Sequence, residues 1–417
     1  MFVEKIVCSR CGKKYRPEDN PLLCLNNDFG RLDIYYDYDS VAESLSVGSL
    51  SVRRWNGVWR YWELMPVESV YASPLVEGGT PLMKCRRLGE HLGIPNLFIK
   101  DETRNPTHSF KDRAMAVGVS KAVEMKKTNV VTASSGNAAA SLAAYSASVG
   151  IKCNAFVPEE ISSGKAAQLL LYGARLVRVR QVAEGRDPTV EMMLETVKRL
   201  GWYPCPSFGP FNPYQVEGLK TIIYEVLEQL SWQPPTYIFI PTGSGCLGAG
   251  VWKGIHDLYT LGFIDSHPRM VPVQPEGNKA LIDAILAGRK FEEIRTEKWP
   301  RSIASGLLDP FPWDGDAVME GVRTTGGTGV AVDDARILDA VRLLAGLEGV
   351  FAEPSGAAGL AGLMKLLDEG VIDRGDTAVV LVTGSGLKEV EKLTSIYPEP
   401  PLIRPDITEL EKLKLIS

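Results

Sequence analysis

The chain has 417 residues, 45% hydrophobic and 23% charged, enough to bury a large core in two or more domains. Its 46 Lys and Arg against 51 Asp and Glu leave a net charge of −5, spread along the chain, which excludes the basic field of a nucleic-acid binder. No long apolar run opens the chain and none approaches the ~20 residues of a membrane span, so no membrane partner and a cytoplasmic location are expected.

Residues 1–70 differ in character from the rest of the chain. Cys8-Ser-Arg-Cys11-Gly begins like a zinc knuckle, and Cys24 follows at a plausible distance. A structural zinc site wants four ligands, usually as two such pairs. Where the second pair should close, the chain reads Leu25, Asn26, Asn27, and no histidine lies nearby. The segment is expected to be a degenerate zinc ribbon without metal, and the seven scattered cysteines to be reduced thiols.

From Gly79 onward strands and helices alternate. Leu97–Lys100 reads as a strand and Phe110–Lys126 as a helix. Asn129–Ala133 is a strand, Ser134–Asn137 a tight loop, and an alanine-rich helix runs through Ser148. Strand Lys152–Val157, helix Gly164–Tyr172 and strand Arg175–Arg180 come next. Strand Tyr237–Ile240 leads through the turn Gly243–Gly248 into a helix ending at Leu261. Met270–Gln274, Ala280–Leu286, Asp334–Leu347, Gly356–Glu369 and Ala378–Val382 continue the alternation. Such alternation predicts an α/β fold of mainly parallel sheets flanked by helices, with ligands bound beyond the strand C-termini. We expect two open sheets with a cleft between them: 71–112 with 211–397 as the large unit, 113–210 as the small one, and 398–417 as a tail with a short helix.

Four loops carry candidate chemistry, one of them Val382-Thr383-Gly384-Ser385-Gly386, which ends a buried strand where ligands usually bind. Lys111, in Asn105-Pro-Thr-His-Ser-Phe-Lys-Asp-Arg113, begins a helix, where the dipole and Arg113 both disfavour a protonated amine, as a nucleophilic lysine requires. A solvated surface lysine fits the same pattern. Ser134-Ser135-Gly136-Asn137-Ala138 can hold an anion on its backbone N–H groups, or be an ordinary N-capped turn. Gly243-Ser244-Gly245-Cys246-Leu247-Gly248 lets amides approach a phosphate, yet is neither a Walker loop nor a Rossmann fingerprint. Cys246 reads as a small packing residue, and His108 as either a substrate contact or an exposed turn.

Taken in order, Ser-Phe-Lys111-Asp-Arg, Ser-Ser-Gly-Asn137, Gly243-Ser-Gly-x-x-Gly, Glu353-Pro-Ser-Gly-Ala357 and Thr383-Gly-Ser-Gly-Leu-Lys388 resemble the tryptophan synthase β family of pyridoxal-phosphate enzymes, most nearly its threonine synthases. Gly79-Thr-Pro-Leu82, Gly326-Gly-Thr328 and the Tyr35-Tyr-Asp-Tyr-Asp39 stretch extend that resemblance over nearly the whole chain. It implies pyridoxal 5′-phosphate as cofactor, an amino acid as substrate, and a homodimer. It also implies Lys111 as the Schiff-base lysine, Phe110 against the cofactor, and Asn137 on its 3′-oxygen. Gly243, Ser244, Gly245, Cys246, Leu247 and Gly248 would hold its phosphate, and Thr383 would face the pyridine nitrogen. Ser134, Ser135, Gly136, Asn137, Ala138 and Gln215 would contact substrate.

The sequence departs from the family where O-phosphohomoserine should be held. The motif Asn-Pro-x-Arg-x-Glu-Gly reads Asn212-Pro-Tyr-Gln215-Val-Glu-Gly218, the upstream Asn-Ser pair is Gly209-Pro210, and a threonine is replaced by Ala138. Each lost charge-assisted bond costs about 1.5–3 kcal/mol. O-phosphohomoserine is therefore expected to be used poorly unless Lys165 or Arg113 has taken over. A serine/threonine ammonia-lyase and a cysteate-synthase-like β-replacement enzyme are the alternatives within the family, and a cofactor-binding protein without turnover is the alternative outside it.

Overall fold

The computed structural model describes all residues except 55–56, 162, 182–186, 297–298, 395–398 and 414–417. Three short strands come first: β1 (Val3–Cys8), β2 (Lys14–Tyr15) and β3 (Leu32–Tyr36), paired antiparallel in the order β2-β1-β3. Ile6 and Cys8 alternate with outward residues on β1, as Leu32, Ile34 and Tyr36 do on β3, the period-two signature of a sheet covered on one face.

β4 (Leu82–Lys84) and β5 (Leu97–Asp101) come next, and the chain then builds a separate sheet from β6 (Asn129–Ala133), β7 (Lys152–Pro158), β8 (Arg175–Val179) and β9 (Tyr203–Pro204). Its order is β8-β7-β6-β9 and every pair is parallel. β10 (Tyr237–Pro241), β11 (Arg269–Pro275), β12 (Val330–Val332) and β13 (Ala378–Val382) return to the first sheet. The result is six strands in the order β12-β11-β10-β13-β5-β4, parallel but for β4 on β5. β10 and β13 are buried from end to end, and their unbroken apolar runs reflect helices covering both faces. The expected α/β architecture of mainly parallel sheets is what the chain forms.

The helix Lys111–Glu124 packs against helices Asn137–Val149 and Tyr214–Leu219 and is buried from Asp112 to Ala122. Close approach is possible because a Cβ on Gly218 would stand 2.0 Å from the Arg113 carbonyl oxygen. Arg113 itself is fully enclosed. Its guanidinium meets Glu102 (2.7 Å) and Glu225 (2.6 Å), and Glu225 also takes Lys100 at 2.7 Å. Of the tail, the helix Ile407–Lys412 is formed, while residues 398 and 414–417 lie outside the described ones. Among the described residues no helix is long and apolar enough to cross a membrane. All seven cysteines are free thiols.

Candidate active site

Four loops meet beyond the C-terminal ends of strands, where parallel sheets bind ligands. The loop after β5 carries Lys111, that after β6 carries Ser134–Asn137, that after β10 carries Gly243–Gly248, and that after β13 carries Thr383–Gly386. Backbone bonds stitch the first to the last: Phe110 N–H donates to the Thr383 carbonyl (3.0 Å) and Ser385 N–H to that of His108 (3.0 Å). His108 holds a left-handed φ of 64° and its imidazole is exposed, with Nδ1 3.2 Å from the Thr103 carbonyl oxygen. It shapes the turn before Lys111.

Lys111 is the first residue of its helix and is half-buried. Its Nζ donates to Ser207 Oγ at 2.6 Å, lies 3.4 Å from Cys246 Sγ, and stands 4.8 Å from the centre of the Phe110 ring. Ser207, at φ 66°, is not marked by the sequence; the only signal there is Pro206 beside a small polar residue. The expected electrostatic help from Arg113 is corrected. That guanidinium spends its charge on Glu102 and Glu225 inside the core, so neither Lys111 nor a substrate phosphate can use it.

Asn137 begins its helix and donates from Nδ2 to Glu353 Oε1 at 2.8 Å. Burial, with Glu389 nearby, raises the Glu353 pKa to about 7. A Cβ on Gly384 would come within 2.5 Å of Glu353 Oε1, so a side chain there would push that carboxyl aside. Ser134, Ser135 and Gly136 are half-open to the cleft, while Ala138 is buried.

Gly245 takes φ 94° and leads into the helix Cys246–Thr260, so the loop presents backbone N–H groups at a helix N-terminus. The loop already meets a carboxyl group: Ser244 N–H donates to Asp309 Oδ2 at 2.9 Å, and a Cβ on Gly243 would stand 2.8 Å from the same oxygen. Burial holds the Asp309 carboxyl above the usual carboxylate range, with the Lys111 charge opposing. Cys246 is buried among Ala114 and Leu219, consistent with packing, and Leu247 points into the core, contributing backbone only.

Gln215 is not in the cleft. It is 1% exposed, its Oε1 accepts Ser207 N–H at 3.0 Å, and its Nε2 lies 3.1 Å from Met115 Sδ. It reaches the site only through Ser207. Gly209 N–H donates to the Asp314 carboxylate at 3.1 Å. Lys165 is partly exposed and pairs with Glu389 at 3.1 Å, which Ser305 Oγ also reaches at 2.6 Å.

A half-buried amine over an aromatic face, an amide with one unspent N–H, and a helix-start anion loop fit a phosphorylated aromatic aldehyde. The profile of the pyridoxal-phosphate dependent enzymes matches residues 74–384. Threonine synthase from Methanocaldococcus jannaschii is 39% identical over 409 residues, 97% of this chain and 98% of that protein. The threonine synthase of Methanosarcina acetivorans is 36% identical, covering 97% of each. Among solved structures, a threonine deaminase from Solanum lycopersicum superposes with a TM-score of 0.66 at 21% identity, over 84% of this chain and 97% of that one. Maize serine racemase gives 0.63 at 23%, over 80% and 93%. Those two speak for the fold alone, whereas the profile and the near-full-length relatives reach the lineage: the chain belongs to the pyridoxal-phosphate dependent enzymes, within the threonine synthase family.

Proposed function

We propose that this enzyme carries out threonine synthase-type elimination and replacement, with O-phosphohomoserine as its substrate. The observation that carries the reading is Lys111 Nζ, held between Ser207 Oγ and Cys246 Sγ over the Phe110 face. Asn137 would donate its second amide N–H to the cofactor ring oxygen, and the Gly243–Gly248 amides would take its phosphate as Asp309 withdraws. Thr383 would face the ring nitrogen. When bound, the cofactor supplies the electron sink for bonds at the substrate α-carbon. With the cofactor bound, Lys111 Nζ would accept the proton from that carbon and return it, while Ser207 Oγ would receive one of the amine's hydrogen bonds. Ser134, Ser135 and Gly136 hold the α-carboxylate at the start of the Asn137 helix.

With Arg113 sequestered, Lys165 is our candidate for the substrate phosphate, in exchange for its bond to Glu389. We also take 113–210 as the smaller unit and 71–112 with 211–397 as the larger, supported by strand membership of the two sheets. A cytoplasmic homodimer is proposed from the family resemblance, with sedimentation as its check. The test of function is an assay of phosphate release and threonine formation from O-phospho-L-homoserine, run beside L-serine, L-threonine and O-phospho-L-serine. One observation favours a second reading: the amide of Gln215, which stands where the family has an arginine, is committed to Ser207 and Met115. Keto acid from serine or threonine, with no threonine from O-phosphohomoserine, would make the enzyme an ammonia-lyase instead.

A further inference from the structure

Cys8, Cys11, Cys24 and Asp28 bring their ligand atoms within 4.8 Å of one another at the edge of the N-terminal sheet. The sequence offers three thiols and no evident fourth ligand. The fold supplies one by turning the 24–28 segment back across the knuckle, so that the missing donor is a carboxylate rather than a second cysteine or a histidine. We infer that this cluster is a structural zinc site, in place of the metal-free knuckle expected from the sequence.

Two of the ligand–ligand distances lie close to the edges of a zinc tetrahedron. Cys11 Sγ and Cys24 Sγ are 3.6 Å apart, and Cys8 Sγ lies 3.4 Å from Asp28 Oδ2. A tetrahedral ion with Zn–S near ~2.3 Å and Zn–O near ~2.1 Å has ligand edges of roughly 3.6–3.8 Å. Thiolates select zinc over harder cations, and four protein ligands leave no open position, which marks a structural rather than a catalytic ion.

The surroundings are built for thiolates. Asn26 Nδ2 donates to Cys11 Sγ and Tyr15 Oη to Cys24 Sγ, each at 3.3 Å, and Tyr15 Oη is itself fixed by Leu25 N–H at 2.8 Å. Gly30 N–H orients Asp28 through Oδ1 at 2.9 Å. Outer donors of this kind tune and orient metal ligands. The knuckle is closed by Gly12 N–H on the Cys8 carbonyl (3.0 Å) and Cys8 N–H on that of Lys13 (2.9 Å). Gly30 is needed for space, because its Cβ would stand 2.4 Å from Cys8 Sγ. A pair of thiols awaiting a disulfide would need neither the third cysteine nor the carboxylate.

The ion would pin the segment that runs from Cys24 to β3. That segment sets the Phe29 ring 6.1 Å from Phe211 and 6.5 Å from Trp313. It also carries Arg31 to Asp316 at 2.6 Å, beside Gly209. Metal therefore secures the outer wall behind Ser207–Phe211 without touching substrate.

The test is elemental analysis of the full-length, cofactor-loaded protein, purified without chelator or polyhistidine tag. One zinc per chain is expected. Asp28→Ala and Cys11→Ser should lose it at least tenfold more readily to a chromophoric chelator, and Asp28→Cys should retain it. Cobalt exchanged into the wild type should give thiolate charge-transfer bands and the intense visible bands of a tetrahedral ion. Substoichiometric metal in wild-type protein from zinc-supplemented cells overturns the inference, as does zinc retained unchanged in the Cys8, Cys11, Cys24 triple serine variant. Thiol titration that finds Cys11 and Cys24 joined, with no metal present, overturns it too. Should the single variants fail to fold, the wild-type metal content and cobalt spectrum decide.

Discussion

The amide of Asn137 donates to Glu353 Oε1 across 2.8 Å, joining a helix start on the four-stranded sheet to a helix start on the six-stranded one. The bond spans the cleft between the two sheets. Burial holds the Glu353 pKa at about 7.

Glu353 therefore predicts a pH dependence. A carboxyl whose folded pKa lies above its unfolded value keeps a proton that the unfolded chain releases. Its contribution to stability is intact below the unfolded value, falls as pH rises towards 7, and is constant above it. The span is on the order of 3 kcal/mol. Glu353→Gln should flatten the Tm-against-pH curve between about pH 4.5 and 7, and abolish any step near 7 in cofactor absorbance. A curve parallel to wild type would show that Glu353 is not the titrating group.

Lys111→Ala should lower turnover by about 10⁴-fold while leaving the circular dichroism spectrum unchanged, because the side chain is half-buried at a helix start and not in a core. Borohydride reduction of wild-type protein, followed by peptide mapping, should find the cofactor on Lys111. An adduct on another lysine would move the site.

Ser207→Ala should reduce kcat several-fold with little change in KM, since it removes only an acceptor for Lys111 Nζ. Gln215→Leu strips the acceptor from Ser207 N–H and leaves that buried donor unpaired, at a cost of about 1–3 kcal/mol. Its effect should be read as a lowered Tm together with the same kcat defect. A normal kcat in both variants would remove Ser207 from the mechanism.

Lys165→Ala should raise the KM for O-phosphohomoserine about tenfold or more, the loss of one charge-assisted bond, and leave L-serine turnover unchanged. Gln215→Arg should improve kcat/KM for O-phosphohomoserine while lowering Tm through the lost Ser207 bond. If that kcat/KM does not move, Lys165 already fills the role. Equal losses on both substrates in Lys165→Ala would mean that its bond to Glu389 serves closure and not recognition.

Asp309→Asn should tighten cofactor binding several-fold, measured by fluorescence titration of the cofactor-free protein. The carboxylate on the Ser244 amide competes with a phosphate for the same donors, and like charges so close repel. Unchanged affinity would mean that the Ser305–Asp309 segment is not displaced.

The strand-to-loop junctions are legible in the sequence because buried parallel strands are unbroken apolar runs that stop at small residues. Asn129–Ala133 and Ala378–Val382 form with the expected bounds. Helix Tyr214–Leu219 is not legible, since it is buried all round and contains Gly218, which removes the amphipathic period that betrays a surface helix. Lys111 stands out in the sequence only through the ordered set of motifs, because its own neighbours fit a surface lysine equally well. Ser207 has no such motif and lies 96 residues away from Lys111. Asp28 is hidden for a related reason: only the folded turn makes it a neighbour of Cys8, 20 residues earlier. Arg113 misleads because sequence adjacency to Lys111 does not fix direction, and the helix aims it at Glu102 and Glu225.

The Arg113 cluster also bears on how the enzyme responds to ionic strength. Mobile ions weaken attractions between solvent-exposed charges but scarcely reach those sealed from water. Arg113, Glu102, Lys100 and Glu225 are all closed off, so added electrolyte leaves the seating of the helix that starts at Lys111 untouched. The Lys165–Glu389 pair, with 28% of the lysine side chain exposed, has no such shelter. In concentrated salt, the position of Lys111 should hold while the pairing of Lys165 with Glu389 loosens.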